Sequence, residues 1–232
     1  MPSQGLTPAQ FNVVHKASKI LISKQEIDNV EKHMAVDIAA VFKGEPLTVM
    51  PVLKGGMSFG THMMEHLDAL ECPHSMDYVH ATRYANGLRG SKKVQWPRGK
   101  PDPKDIEGKN ILLVEDLLEG GDTLQEIVNT LQAMNPKRIE VAVLFSKKDT
   151  RSENGLKEAT YTGIKLEGKA FVYGRGLDLK QYGRGFGDLY EVNQEVLKQV
   201  LAAGRLVSFW RNRPPITEKT GAAKDTMGNS CN

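Results

Sequence analysis

The amino-acid sequence predicts an α/β fold, with a largely parallel sheet covered by helices. Short apolar segments alternate along the chain with segments whose apolar residues recur at helical spacing. This alternation is typical of parallel strands joined by crossover helices. The chain has 232 residues, which suits one domain with a small addition. We predict a leader at residues 1–19, one domain at 20–204 and a partly disordered tail at 205–232, because no apolar pattern is present after Arg211.

The individual elements follow from apolar spacing. Steps of three and four residues define the helices, which we predict at Ile20–Val41, Phe59–Leu70, Leu124–Met134 and Gln194–Ala203. Short apolar runs define the strands, which we predict at Leu47–Leu53, Ser75–Ala81, Ile111–Val114, Ile139–Phe145, Ala170–Tyr173 and Leu189–Val192.

Composition excludes several classes of function. No apolar run approaches the ~18 residues of a membrane span, and the first ten residues lack the charged start and apolar core of a secretion signal. The net charge of +3 is too weak to indicate a nucleic-acid partner. The two cysteines, Cys72 and Cys231, form neither a metal spacing nor a disulfide framework. We therefore expect a cytoplasmic protein with no membrane and no nucleic-acid partner.

One segment, residues 111–127, combines acids and glycines at a strand-to-helix junction. The apolar strand is followed directly by Glu115, Asp116, Glu119, Gly120, Gly121, Asp122 and Thr123. Thr123 and Glu126 have the spacing of a capping box, which predicts a helix start there. Two glycines before a helix let backbone N–H groups converge on an anion. Phosphate is the expected guest.

Carboxylates crowded around a phosphate require a second explanation. Ribose hydroxyls can donate to them, and a magnesium ion can offset the charge of a diphosphate. The segment therefore favours a phosphorylated sugar, and the Walker pattern of nucleoside triphosphate sites is absent from the sequence. A turn with a solvated acidic rim is the alternative, because turns are rich in Gly and Asp for backbone reasons.

Residues 111–127 resemble the phosphoribosyl-diphosphate motif of type I phosphoribosyltransferases. Other stretches narrow the resemblance to the hypoxanthine-guanine (6-oxopurine) branch: Val52–Gly56, His80–Tyr84, Phe145–Arg151, and Phe171–Asp178 with Arg184 beyond. Val52–Gly56 resembles the family's diphosphate-binding turn, which implies a cis peptide before Lys54. The five motifs occur in the family's order over residues 20–192. The resemblance implies a mainly parallel five-stranded sheet, and a small hood built from the N-terminal segment and the residues after about 165. It also implies a homodimer or homotetramer.

The resemblance also implies roles at the sugar and diphosphate. Glu115 and Asp116 would hold the ribose hydroxyls, directly or through Mg²⁺, and Asp178 would lie near the metal. Gly120, Gly121, Asp122 and Thr123 would cradle the 5′-phosphate. Lys54, Gly55 and Arg184 would meet the diphosphate, and Arg83 and Tyr84 would begin a mobile lid.

At the purine, the resemblance implies that Lys147 donates to the 6-oxo group, that Phe171 stacks on the ring, and that Val172 and Asp178 contact its edge. Glu119 would be the general base that takes a proton from N7. The chain departs from the family pattern at two of these positions, with Glu119 in place of the usual Asp and Arg83 in place of a frequent Ser.

The implied activity is transfer of the phosphoribosyl group from phosphoribosyl diphosphate to hypoxanthine or guanine, giving IMP or GMP. Two alternatives stay open. A nucleotide-sensing regulator could keep the fold and lose the reaction, given the departure at Glu119. A zinc hydrolase could use His62, Glu65 and His66, which match the H-x-x-E-H pattern, although the same helix has an apolar face.

Overall fold

A computed structural model describes residues 5–82 and 94–211. Its helices are α1 (Pro8–Ala17), α2 (Lys24–Phe42), α3 (Gly56–Ala69), α4 (Asp122–Gln132) and α5 (Gln194–Arg211). Its strands are β1 (Lys19–Ile22), β2 (Leu47–Pro51), β3 (His74–Met76), β4 (Asn110–Leu118), β5 (Arg138–Ser146), β6 (Tyr161–Lys165), β7 (Val172–Tyr173) and β8 (Leu189–Glu191).

The main sheet has five parallel strands in the order β3-β2-β4-β5-β6, which confirms the predicted fold class. The central strand β4 is buried over most of its length because helices cover both faces of the sheet. Alternate side chains of a strand point to opposite faces. Leu112 and Val114 accordingly join the core under α2 and α3, whereas Ile111 and Leu113 join the core under α4. All five carboxyl ends meet at one edge, where parallel α/β sheets bind ligands.

The predicted hood is a second, three-stranded antiparallel sheet in the order β1-β8-β7. The N-terminal segment supplies β1, and the chain after residue 165 supplies β7 and β8. The strands predicted at Ala170–Tyr173 and Leu189–Val192 therefore belong to this sheet. A small core of its own, including Phe11, Val14 and Tyr173, fills the space beneath it.

The N-terminal region differs from the sequence prediction. Residues 8–17 lie in the segment assigned to a leader, yet they form α1, which begins with a capping box between Thr7 and Gln10 and buries Phe11 and Val14. The helix predicted from Ile20 begins four residues later, because Ser23 caps α2 and the preceding residues pair with β8.

Other elements differ as well: β3 ends at Met76 rather than at Ala81, and β4 continues to Leu118 rather than ending at Val114. Strand β6 has no counterpart among the predicted strands, because its residues are only partly buried and include Gly163. Helix α5 extends to Arg211, seven residues into the predicted tail, and residues 212–232 lie outside the described residues. Within the described part of the chain, no helix has the length and apolar character required to cross a membrane.

Candidate active site

A cavity of about 520 Å³ opens at the carboxyl ends of β4 and β5. Thirteen of the residues predicted from sequence line it: Gly55, Glu115, Asp116, Glu119, Gly120, Gly121, Asp122, Thr123, Lys147, Phe171, Val172, Asp178 and Arg184. Lys54 adjoins the wall through Gly55 and is not itself part of the lining, and the predicted lid residues Arg83 and Tyr84 lie outside the described residues. The lining also includes apolar residues that received no role from sequence, namely Ala81, Leu117, Leu118, Leu124 and Leu177.

Two adjacent carboxylates lie in the cavity wall near the end of β4. Asp116 is buried, and its backbone N–H donates to Glu115 Oε1 at 3.2 Å. Burial, reinforced by the neighbouring Asp116 carboxylate, raises the pKa of Glu115 well above its ordinary value. This pair therefore favours a guest that brings hydroxyl donors or positive charge.

The peptide at Gly55 packs directly against the acid pair. A Cβ atom built on Gly55 would lie 2.0 Å from Asp116 Oδ2, and one on Gly176 would lie 2.3 Å from the Gly55 carbonyl oxygen. Only residues without a side chain allow this approach. The Leu53–Lys54 peptide just before it is cis, as the resemblance implied.

The predicted phosphate turn joins β4 to α4. Gly121 is the N-cap of α4 in a left-handed conformation (φ 85°), and as a glycine it contributes no side-chain cap. The predicted capping box between Thr123 and Glu126 is therefore wrong, because Thr123 is already the second helical residue. A helix that begins at a glycine suits an anion, which the N-terminal end of the helix dipole favours.

A second loop supports this turn from behind. Ser152 N–H donates to the Gly120 carbonyl at 2.9 Å, and Leu156 N–H donates to the Gly121 carbonyl at 3.1 Å. The approach is so close that a Cβ on Gly155 would lie 2.1 Å from the Gly120 carbonyl oxygen. No sequence signal predicted this contact, since the two loops are about thirty residues apart.

Two of the residues predicted to contact the purine, Lys147 and Glu119, are in contact with each other. Lys147, which follows β5, is only 5% exposed. Its Nζ donates to the Ala170 carbonyl at 2.7 Å and lies 3.3 Å from Glu119 Oε1. Phe171 is 43% exposed although an isolated Phe is usually a core residue, and it lines the cavity. A flat ring could therefore lie against Phe171, with the ammonium and carboxylate at its edge.

Elsewhere in the cavity lining, Arg184 forms an ion pair with Asp178. Its guanidinium also donates to the Gly176 carbonyl at 2.7 Å, and Gly176 N–H donates to the Arg184 carbonyl at 3.0 Å. The segment 176–184 thus folds back on itself and presents a carboxylate and a guanidinium side by side.

The comparisons with known proteins agree with this geometry. Residues 16–178 match the model of the phosphoribosyl transferase domain. The hypoxanthine-guanine phosphoribosyltransferase of Staphylococcus epidermidis is 32% identical over 184 residues, which is 79% of this chain and 98% of that protein. The chain belongs to the hypoxanthine-guanine phosphoribosyltransferase family.

Solved structures of this family are similar as well. The hypoxanthine-guanine phosphoribosyltransferase of Bacillus anthracis is 27% identical, with a TM-score of 0.67 over 75% of this chain and 98% of that one. A hypoxanthine phosphoribosyltransferase of Trypanosoma cruzi is 28% identical, with a TM-score of 0.70 over 79% of this chain and 95% of that one.

Neither alternative function is favoured by these findings. His62 and His66 lie on α3 as predicted, but His62 Nδ1 lies 3.8 Å from Glu31 Oε2, in contact with α2. Among residues 5–82 and 94–211, no group of three His, Cys, Asp or Glu side chains is placed to hold a metal ion by itself. The relatives of this phosphoribosyltransferase are named as enzymes, so nothing supports a regulator.

Proposed function

We propose that the protein transfers the 5-phosphoribosyl group from phosphoribosyl diphosphate to hypoxanthine or guanine, giving IMP or GMP and diphosphate, as an enzyme of purine salvage. One observation carries the proposal. A single cavity brings together a helix start with a glycine N-cap, a partly buried acid pair and a contacting Lys–Glu pair beside an exposed phenyl ring. These features match the phosphate, the ribose and the base of one nucleotide.

The sugar phosphate would occupy the β4 side of the cavity. Backbone N–H groups of the turn Gly120–Thr123 would donate to the 5′-phosphate, whose charge the start of α4 favours. Glu115 and Asp116 would accept hydrogen bonds from the ribose hydroxyls. In this position they flank the anomeric carbon, where positive charge develops as the diphosphate leaves.

The donor set fits a magnesium ion. Carboxylate oxygens are the hard ligands that Mg²⁺ prefers, and it commonly uses one or two of them while substrate oxygens and water complete its shell. Glu115 and Asp116 would hold it together with the substrate, and Asp178 lines the same cavity. When bound, the ion would offset the charge of the diphosphate. Lys54 and Arg184 would contribute positive charge to the same leaving group.

The purine would lie against Phe171 with its 6-oxo group toward Lys147. Lys147 carries only donors, so it accepts a 6-oxo group as partner and would stay unpaired beside a 6-amino group. Glu119 would take the N7 proton while N9 attacks the anomeric carbon. The C–N bond forms as the bond to diphosphate breaks, and the proton remains on Glu119. Val172 and Asp178 would contact the far edge of the ring.

The activity can be tested with a panel of radiolabelled bases, phosphoribosyl diphosphate and Mg²⁺. We expect nucleoside monophosphates from hypoxanthine and guanine, a preference of at least about 100-fold over adenine, and loss of turnover when a chelator removes the metal. Binding of a 6-oxopurine and phosphoribosyl diphosphate without any nucleotide formed would instead support the regulator. Equal use of adenine would contradict the role of Lys147.

Assembly and location stay predictions. A homodimer or homotetramer is expected from the resemblance, and the T. cruzi enzyme has been studied for the effect of its C-terminal region on oligomeric state and activity. Sedimentation of the full chain would measure the state. The predicted cytoplasmic location rests on sequence composition.

A further inference from the structure

We propose that Arg151 is a positioning residue for the base-handling pair, which fixes the distance between Glu119 and Lys147 by holding the backbone of both. The inference rests on the proposed function, because it assigns a task to Arg151 only if that pair handles the purine.

The guanidinium of Arg151 is directed at backbone around the ends of two strands. Its Nη1 donates to the carbonyl oxygens of Leu118 at 2.6 Å, Glu119 at 2.6 Å and Lys147 at 2.8 Å, so that two of these oxygens share one of its two hydrogens. Its Nη2 donates to Ser146 Oγ at 2.8 Å, and its Nε donates to the Lys157 carbonyl at 3.0 Å. All three nitrogens are therefore engaged by neutral oxygens.

These contacts begin where the sheet ends. The last residues paired between β4 and β5 are Leu118 and Ser146, and one further backbone bond joins Lys147 N–H to the Leu118 carbonyl at 3.0 Å. Beyond it the two chains separate, Glu119 into the phosphate turn and Lys147 into a 3₁₀ turn. Arg151 extends the connection by one residue on each strand, through the carbonyls of Glu119 and Lys147.

The position of the guanidinium is unusual for a residue needed only for solubility or surface charge. Arg151 is partly buried, and burial lowers the pKa of its guanidinium. None of the ion pairs found within residues 5–82 and 94–211 includes Arg151. The desolvation cost is therefore offset by hydrogen bonds to backbone. A planar guanidinium can donate in several fixed directions, which a lysine ammonium cannot reproduce.

The rate of the proposed reaction depends on the distance between the Glu119 carboxylate and the Lys147 ammonium. Glu119 Oε1 and Lys147 Nζ lie 3.3 Å apart, and one purine must engage both at N7 and the 6-oxo oxygen. A displacement of about 1 Å of a group that positions substrate costs about 100-fold in rate. Release of either backbone would move one partner relative to the other, whereas Glu115 and Asp116 lie earlier on β4, within its ladder of backbone bonds.

The test compares Arg151→Lys and Arg151→Gln with the matched control Lys148→Ala, in the full chain. Lys148 is an exposed cation three residues away whose contact with Glu158 is a surface ion pair. We expect both Arg151 variants to lower kcat/KM for hypoxanthine by about 10- to 100-fold while the KM for phosphoribosyl diphosphate stays nearly unchanged. Lys148→Ala should behave as wild type. Because a lysine keeps the charge, a similar loss in Arg151→Lys assigns the effect to the planar donor geometry.

Arg151→Ala adds a second measurement. Methylguanidinium should restore part of the hypoxanthine activity of this variant and leave wild type and Lys148→Ala unaffected. Equal losses for both substrates without rescue would reduce Arg151 to a stabilising residue and overturn the proposal, as would wild-type kinetics in Arg151→Gln. Wild type that forms no nucleotide from any 6-oxopurine would count against the proposed function instead.

Discussion

Glu119 and Lys147 meet across the gap between two strand ends, and this contact is the smallest unit on which the proposed reaction depends. Glu119 stands where the resemblance implies an aspartate. A glutamate reaches one methylene further, so its carboxylate can approach the Lys147 ammonium at 3.3 Å while its backbone stays in the phosphate turn. The reference pKa values of the two acids are similar. We therefore propose that Glu119 takes the role of general base with a longer reach.

Replacement of Glu119 tests the proton-accepting role. Glu119→Gln keeps the size and removes the base, so we expect kcat with hypoxanthine to fall by about 100- to 10,000-fold, with little change in the KM for phosphoribosyl diphosphate. Glu119→Asp is the matched control and should retain much of the activity. Near-normal turnover of Glu119→Gln in steady-state assays would remove this residue from the role.

Replacement of Lys147 tests recognition of the 6-oxo group. Lys147→Ala removes the buried donor, and we expect the KM for hypoxanthine and guanine to rise by at least about tenfold, as for loss of a hydrogen bond to a charged group. Binding of phosphoribosyl diphosphate, measured by calorimetry, should remain close to wild type. If both affinities fell together while the exposed-site variant Lys148→Ala stayed normal, a folding defect would explain the result.

At the scale of secondary-structure elements, the packing of the Gly55 turn against β4 determines where the acid pair lies. Because the close approach of these two segments leaves no room for a Cβ, Gly55→Ala must displace the buried Asp116 carboxylate. We expect weaker binding of phosphoribosyl diphosphate and a loss of about 1–3 kcal/mol in the free energy of unfolding.

The control for Gly55→Ala is Gly5→Ala. Gly5 is exposed, and a Cβ there would meet no atom within 4 Å. Gly5→Ala should have the thermal stability of wild type and the same affinity for phosphoribosyl diphosphate by calorimetry. Unaltered binding in Gly55→Ala would mean that Asp116 does not contact the sugar.

The sequence predicted the elements whose signals are local. Strands β2, β4 and β5 each contain a continuous apolar stretch because helices cover both faces of the sheet, so their positions could be predicted. Strand β6 is only partly buried and gave no comparable signal. The capping box failed because Gly121, with its positive φ, takes the N-cap position that spacing had assigned to Thr123.

For the site, the strand-to-helix motif on β4 predicted the phosphate turn, and the family resemblance supplied Lys147 and Phe171. Arg151 is the last residue of the motif Phe145–Arg151, and the resemblance implied no role for it. Its contact with the Glu119 carbonyl spans 32 residues of sequence, and the support of Gly121 by Leu156 spans a similar distance. Such contacts depend on tertiary packing and leave no periodic pattern in the chain.

At the scale of the whole molecule, one buried ion group joins the hood to the main domain. Arg175, which follows β7 and is 2% exposed, donates to Glu31 and Asp28 on α2. The segment that it anchors continues to Asp178 at the cavity. Arg175→Ala would leave Glu31 buried without its partner, and we expect a loss of about 3–5 kcal/mol in the free energy of unfolding near neutral pH.

The pH dependence of that loss provides a second check. Burial raises the pKa of Glu31, although Arg175 opposes the shift, and removal of Arg175 raises it further. A raised carboxyl pKa contributes stability that is complete below the unfolded value of 4.5 and is lost as pH rises through the folded value. The deficit of Arg175→Ala should therefore shrink on acidification, as measured by thermal unfolding relative to wild type.

The control for this series is Lys198→Ala, which breaks an exposed ion pair with Glu195 and should cost no more than about 1 kcal/mol. A deficit for Arg175→Ala that is equally small, or that does not change with pH, would show that the hood is held by its apolar contacts alone.

The most direct measurement of the whole account is a crystal structure of the protein with a purine nucleoside 5′-monophosphate. We predict the phosphate at the turn Gly120–Thr123, the ribose hydroxyls at Glu115 and Asp116, and the base against the ring of Phe171 with its 6-oxo group at the Lys147 ammonium. A nucleotide bound elsewhere on the molecule, with this turn vacant, would contradict the account.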